Sequence, residues 1–322
     1  GTRSASPGLS MDPVIWFFVL GLVAGLAKSD LRLPPAIYDL LSTLLLITIG
    51  LKGGVELARS DVAGVLPQAA GVLAIGFVLP LIVFPLLRAI GPFGRADAAS
   101  LAAHYGSVSV ATFAVGVSFL AERNVAYDSQ LPLFLVLLEV PAIVVGILLA
   151  RGLRSGQRWG KLLHEIFLGK SIVLLVGGLG IGWAAGSEGI APLEPLFFDL
   201  FKGVLALFLL EMGLIAASQA QVLREKGLAI AAFGILAPVP LAAVGAVAGW
   251  LMGLSVGGTT LLAVLTGSAS YIAAPAAMRI AVPEANPSLS LTASLGVTFP
   301  FNIFAGIPIY YSIATALHQW GG

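Results

Sequence analysis

The sequence has 322 residues, 58% of them hydrophobic and only 10% charged, with a net charge of +1 and a mean hydropathy of +1.00. A soluble domain carries roughly 25% charged residues, so the composition excludes an ordinary soluble enzyme, a disordered chain and a basic nucleic-acid binder. The absence of cysteine excludes disulfides and thiolate metal sites, and three scattered histidines (His104, His164, His318) have no metal-ligand spacing. This is the composition of an integral membrane protein.

Residues 1–10, GTRSASPGLS, precede Met11 and read as an expression remnant; no cleavable signal peptide is evident. A membrane-spanning helix needs about 20 mostly apolar residues. Ten segments meet that need: 13–28, 35–57, 62–90, 97–121, 130–151, 170–186, 195–219, 226–253, 257–280 and 288–317. The expected fold is therefore all-α, with ten transmembrane helices. The polar stretch 152–169 divides it into two five-helix halves, 11–151 and 170–322. Arg3, Lys52, Arg59, Arg123 and Lys202 fall on one side of the predicted membrane and the other twelve basic residues on the opposite side. The positive-inside bias makes the second side cytoplasmic, with both termini outside.

The halves repeat each other. VLGLVAGLA (19–27) matches VGGLGIGWA (176–184), PAIYDLLS (35–42) matches PLFFDLFK (195–202), ITIGL (47–51) matches LEMGL (210–214), and YGSVS (105–109) matches TGSAS (266–270). An odd number of spans per half forces the second copy to enter from the opposite face. Inverted repeats of this kind are a transporter architecture, with substrate held at the repeat interface.

The paired Gly-Ser-x-Ser stretches carry the chemistry. Gly106 and Gly267 each lie nine residues into their span, a depth of about 13 Å at the helical rise, near the bilayer centre. Glycine followed by serines weakens a helix there, and serine hydroxyls cap freed amides. Helices 4 and 9 are thus expected to break and cross at the midplane. Their second halves would present positive N-terminal dipoles and free N–H groups to a small anion. Small residues also serve simply to pack helices; the symmetric pair at equal depth favours a site. Gly106, Ser107, Ser109, Gly267, Ser268 and Ser270 are the expected substrate-binding set. Ser109, Thr112, Glu139, Ser270 and Tyr271 are the candidates for a coupling ion.

Glu139, midway along helix 5, is a costly intramembrane carboxylate that can bind a cation, take a proton or brace the broken helix. Thr298 and Asn302 flank Pro300 in helix 10 as supporting donors or as interhelical links. Pro275 keeps helix 9 irregular. Tyr271 either closes the pocket or acts as an aromatic anchor. Glu211 reads as a solvated or interhelical residue, and His104 as a packing or hydrogen-bonding one. Gly21-xxx-Gly25 and Gly245-xxx-Gly249 read as packing seams. No Ser/His/Asp set, Gly-x-Ser-x-Gly elbow, His-Glu-x-x-His helix or phosphate loop is present, so no catalytic residue is expected.

The segments LLLITIGLKGG (44–54), GSVSVATFAVGVSFL (106–120), LEVPAIV (138–144) and SASYIAAPAAMRIAVPEANPS (268–288) resemble the bacterial sodium-dependent bicarbonate transporter family, the SbtA type. The resemblance runs over almost the whole chain, and AMRIAVPEANPS is its most specific piece. It implies a gate domain of helices 1, 2, 6 and 7 and a core domain of helices 3–5 and 8–10. It also implies a homotrimer in the bacterial inner membrane, with sodium-coupled, elevator-like uptake of bicarbonate bound between the two breaks. Some members are inhibited by a PII-like protein on the cytoplasmic face. The chain departs from the family pattern in helix 9, reading Ser268-Ala269-Ser270-Tyr271 where members read Ser-Ser-Ser-Asp, and in helix 4, where Ala111 replaces a hydroxyl. Glu139 is the candidate to supply the missing charge. Two alternatives stay open: a transporter of another small anion or carboxylate, proton-coupled through Glu139, and a transport-inactive membrane sensor. Sodium is the only accessory ion expected, and no nucleic-acid partner.

Overall fold

The computed structural model describes residues 12–59, 62–152 and 159–320. The first three predicted spans form α1 (Pro13–Leu26), α2 (Pro35–Leu57) and α3 (Val62–Ile90). The fourth is two helices, α4 (Arg95–Gly106) and α5 (Val110–Glu122), and the fifth is α6 (Leu131–Arg151). After α7 (Trp159–Phe167), the second half runs α8 (Lys170–Ile190) and α9 (Phe201–Lys226). The eighth span is α10 (Leu228–Leu236) plus α11 (Pro238–Leu251), and the ninth is α12 (Val256–Thr266) plus α13 (Ala273–Ala281). The last, α14 (Pro287–Trp320), carries π-helical stretches at Thr292–Thr298 and Asn302–Gly306, on either side of Pro300. No strand occurs among the described residues.

Among the described residues, eight helical stretches are long and apolar enough to cross a membrane, and α1 and α12 are shorter apolar helices. Every predicted span thus has a helical counterpart, and the protein is an all-α, multi-pass membrane protein. Its sidedness shows in α3: Val72, Leu79, Val83 and Leu87 are buried, whereas Phe77, Val78, Leu81, Ile82 and Leu86 are about half exposed. That alternation at helical spacing puts one face on protein and the other on lipid.

Two differences from the sequence reading have physical causes. The described part of the expected polar connection is not a plain loop. It holds α7, whose Leu162 and Ile166 join a buried cluster with Ile143, Ile147 and Met278, while Lys161 and Glu165 pair at 3.9 Å on its outer side. α8 continues to Ile190, but Gly186 has φ +62°, a left-handed turn at the predicted end of the span. The eighth span runs on through Ala237 with helical backbone, but Pro238 and Pro240 remove backbone donors there. The proposed remnant 1–10 and Arg154 and Arg158 of the connection lie outside the described residues.

The internal repeat is visible as repeated packing. α1 packs along α9 and α2 along α8; in the first half α3, α4 and α6 form a triangle, matched in the second by α11, α12 and α14. The repeat extends to single glycines. A Cβ on Gly21 would strike the Leu210 carbonyl oxygen, and one on Gly213 the Phe18 carbonyl oxygen. At the equivalent positions a Cβ on Gly178 would lie 2.9 Å from the Ile47 oxygen, and one on Gly50 would lie 2.6 Å from the Leu175 oxygen. Two backbones meet in the same way twice, as small-residue seams allow. The halves then meet crosswise, α4 against α13 and α5 against α12.

Candidate functional site

The first break is local chemistry. α4 stops at Gly106, whose Cα hydrogens face Pro80 and Ala142; a Cβ there would lie 2.7 Å from the Pro80 ring and 2.9 Å from the Ala142 methyl. Ser107 and Ser109 then take extended backbone conformations. Ser109 caps α5, accepting from the Thr112 amide at 3.1 Å and from the Thr112 hydroxyl at 2.8 Å. The first amides of a helix have no partner inside it. With Thr112 capped, those of Val110 and Ala111 are left without a partner inside α5.

The second break spans residues 267–272. Its Ser270 hydroxyl accepts from the Ala274 amide in the first turn of α13 at 3.2 Å, although the N-cap position itself is Ile272. α13 offers fewer donors, because Pro275 in its first turn has no N–H. Of the two helix starts, α5 is the better anion acceptor.

The breaks are joined directly. The Ser109 amide donates to the Ser268 hydroxyl at 2.9 Å, and that hydroxyl donates to the Leu265 carbonyl at 2.8 Å. The Ser270 amide donates to the His104 carbonyl at 2.8 Å. Ser107 donates to the Glu139 carbonyl at 3.3 Å, tying the first break to α6. All four serines are at most 3% exposed. The span Arg95–Glu122 is the most deeply buried of the eight, so its non-helical backbone is surrounded by protein and not by lipid.

The structure therefore brings Gly106, Ser107, Ser109, Thr112, Gly267, Ser268 and Ser270 to one place. Asn302 reaches it as expected, donating from its side-chain amide to the Gly267 carbonyl at 2.9 Å; its oxygen accepts from Tyr310 at 2.6 Å. Thr298 does not touch the serines. It donates to the Gly234 carbonyl at 2.7 Å and shares a 2.6 Å hydrogen bond with Tyr105, bracing α4 against α10 and α14. Glu139 meets the break through its peptide carbonyl. Its carboxyl group is buried, with Oε2 lacking any partner. The Tyr271 hydroxyl is buried beside Ser109 and the Ala111 backbone at the amino end of α5, while its ring packs edge-on against Phe299 at 5.7 Å.

Several residues escaped the sequence reading. Asp12 caps α1 and accepts from Ser118 of α5 at 2.6 Å; its signal is an acid directly before a proline that opens an apolar run. Lys202 of α9 pairs with Glu122 of α5 at 3.3 Å. Lys52, Val117, Tyr127 and Pro132 are shared by two cavities of about 80 and 300 Å³, which adjoin between α2 and α5. There the Lys52 ammonium lies 5.8 Å from the Tyr127 ring centre, and burial together with Glu56 pushes the Tyr127 phenol up to about 12. Among the described residues, no three histidines or acids cluster to hold a metal ion.

A family model described as the Na+-dependent bicarbonate transporter superfamily matches residues 13–315. No curated protein matches the chain.

Proposed function

The chain belongs to the Na+-dependent bicarbonate transporter superfamily, a family of membrane transporters, and on that footing we propose that it takes up bicarbonate together with sodium. The observation that carries the reading is the junction of the two helix breaks through Ser109 and Ser268. It sets the amino end of α5, with its Val110 and Ala111 amides, at the crossing point, where an oxyanion gains charge-assisted hydrogen bonds without a buried arginine.

Bicarbonate binds between the breaks, in contact with the α5 amides and the serine hydroxyls. The Tyr271 hydroxyl, already facing the Ala111 backbone, acts as the closing group that yields to the anion. Sodium, a hard cation that takes oxygen ligands, is held by Ser109, Thr112 and Ser270, with the unpartnered Glu139 carboxylate supplying formal charge. Helices α1, α2, α8 and α9 form the gate, and the remaining spans form the core that carries the site across. The polar ties between the groups (Asp12 to Ser118, Lys202 to Glu122, and Thr292 to Gln219 at 3.1 Å) are those that such a movement exchanges. Lys52 and Tyr127 line the approach from outside. Homotrimer formation, an inner-membrane location with both termini outside, and a PII-like partner on the cytoplasmic face complete the proposal.

The test is uptake of labelled bicarbonate by proteoliposomes with and without a sodium gradient. Uptake that rises with sodium supports the coupling, and equal flux in both removes it. The orphaned Glu139 carboxyl favours one second reading, in which a proton replaces sodium; uptake then follows a pH gradient and ignores sodium.

A further inference from the structure

A cavity of about 100 Å³ lies between α4 and α13, outside the serine junction. Its walls include Ser100, His104, Met278, Arg279, Pro283 and Ala285. Two of these groups complement each other, His104 buried in the wall and Arg279 exposed at the edge. His104 is 1% exposed, and its Nδ1 lies 2.7 Å from the Ser100 carbonyl oxygen. A carbonyl only accepts, so Nδ1 carries the proton and Nε2 of the neutral ring presents a lone pair. That Nε2 is buried and has no partner, a costly arrangement for a polar atom. Arg279, on the same cavity, has neither an acidic partner nor a hydrogen bond among the described residues. The neighbouring acids are engaged elsewhere: Glu284 pairs with Arg151 at 3.3 Å, and Asp97 accepts from the Asn286 amide at 2.8 Å. The Ser100 hydroxyl is shared with Ser290 at 2.9 Å.

The cavity thus lacks one hydrogen-bond donor at His104, and the exposed Arg279 offers positive charge at its edge. Water can donate to Nε2 and accept from the guanidinium, but it brings no negative charge. Chloride or formate brings the charge but no donor. An oxyanion that still carries an O–H brings both, with its hydroxyl donating to Nε2 and its charged oxygens meeting the guanidinium fork. We propose that this cavity is a second binding site, for a small protonated oxyanion of the bicarbonate or hydrogen-phosphate kind, held by His104 and Arg279. That bicarbonate fills it in the cell rests on the proposed function; the existence of the site does not. Its position links it to transport, because the carbonyl of the same His104 accepts from the Ser270 amide at the second break.

The chain has no cysteine, so Met278→Cys places a single thiol in the cavity wall. The experiment follows thiol modification of this variant in detergent, at fixed pH near 8, with added bicarbonate, inorganic phosphate, formate or chloride. At ten times its dissociation constant a blocking ligand slows modification roughly tenfold. Slowing by bicarbonate or phosphate, with formate and chloride without effect, is the expected result, and which of the two protects identifies the occupant. Protection should vanish when His104→Leu or Arg279→Gln is added and persist when Ser268→Ala is added. A failed transport assay with intact protection rejects the proposed function and leaves this site standing. No protection by either oxyanion, equal protection by chloride, or protection lost with Ser268→Ala overturns the proposal. Should Met278→Cys not fold, Ala285→Cys reports on the same wall.

Discussion

The amide of Ser109 donates to the hydroxyl of Ser268 at 2.9 Å, so the interrupted helix of each half is held by the interruption of the other. One hydroxyl does two things, since Ser268 also donates to the Leu265 carbonyl at 2.8 Å. Ser268→Ala removes both bonds and leaves a buried amide without its acceptor, a penalty of about 1–3 kcal/mol. The expected outcome is a bicarbonate KM raised about tenfold, the equivalent of about 1.4 kcal/mol, with the protein still folded by its melting temperature. Unchanged uptake kinetics would remove the junction from the transport site.

The glycine seams set a different limit. Gly50 lies on α2 where a methyl group would come within 2.6 Å of the Leu175 carbonyl oxygen and 3.0 Å of Gly178. The obstacle is backbone, which cannot rotate away. Gly50→Ala should cost about 1–3 kcal/mol by overpacking, read as a lower melting temperature in detergent. Gly177→Ala, one position from the partner glycine but with open space around it, should melt like the parent. Equal melting of the two variants would show that α2 and α8 do not depend on this approach.

What the sequence made legible follows the range of each signal. Hydropathy is summed over about 20 residues, so the apolar helices could be read from it, including α3 at its full extent. The helix breaks were legible because glycine and serine act on their own backbone, and the repeat because YGSVS and TGSAS keep their register. Partners were not legible. Ser109 meets Ser268 across 159 positions, and Ser118 meets Asp12 across 106, which no local pattern encodes. Thr298 links helices by meeting Tyr105 and Gly234, both far from it in sequence. Glu139 was singled out for its carboxylate, yet what touches the break is its peptide carbonyl, a group that every residue type possesses.

That distinction makes Glu139→Gln informative. The substitution keeps the backbone carbonyl to which Ser107 donates and removes only the formal charge. If the carboxylate completes the sodium site, the sodium concentration for half-maximal uptake should rise at least about tenfold, a loss of about 1.4 kcal/mol in ion affinity, with little change in melting temperature. Should the acid serve only to brace α6, the variant will keep its sodium dependence.

The contact between Asp12 and Ser118 speaks to movement instead of binding. Asp12 caps α1 while accepting the Ser118 hydroxyl of α5 at 2.6 Å, and both residues are buried. Close by, Lys202 of α9 reaches Glu122 of the same α5 at 3.3 Å. These ties join the proposed gate to the proposed core, so any displacement of α5 past α1 and α9 must release them. A hydrogen bond to a charged group contributes about 1.5–3 kcal/mol, and it stabilises the observed arrangement more than one in which the helices have slid. Ser118→Ala retains the Asp12 cap on Val14 and removes the tie alone. If the core moves as a body, turnover should rise several-fold while the melting temperature falls, because the ground state is raised and the crossing is not. A rigid α5, with substrate passing through a fixed pathway, predicts the lower melting temperature with no gain in turnover. Measuring both quantities on one variant therefore separates a travelling core from a stationary one.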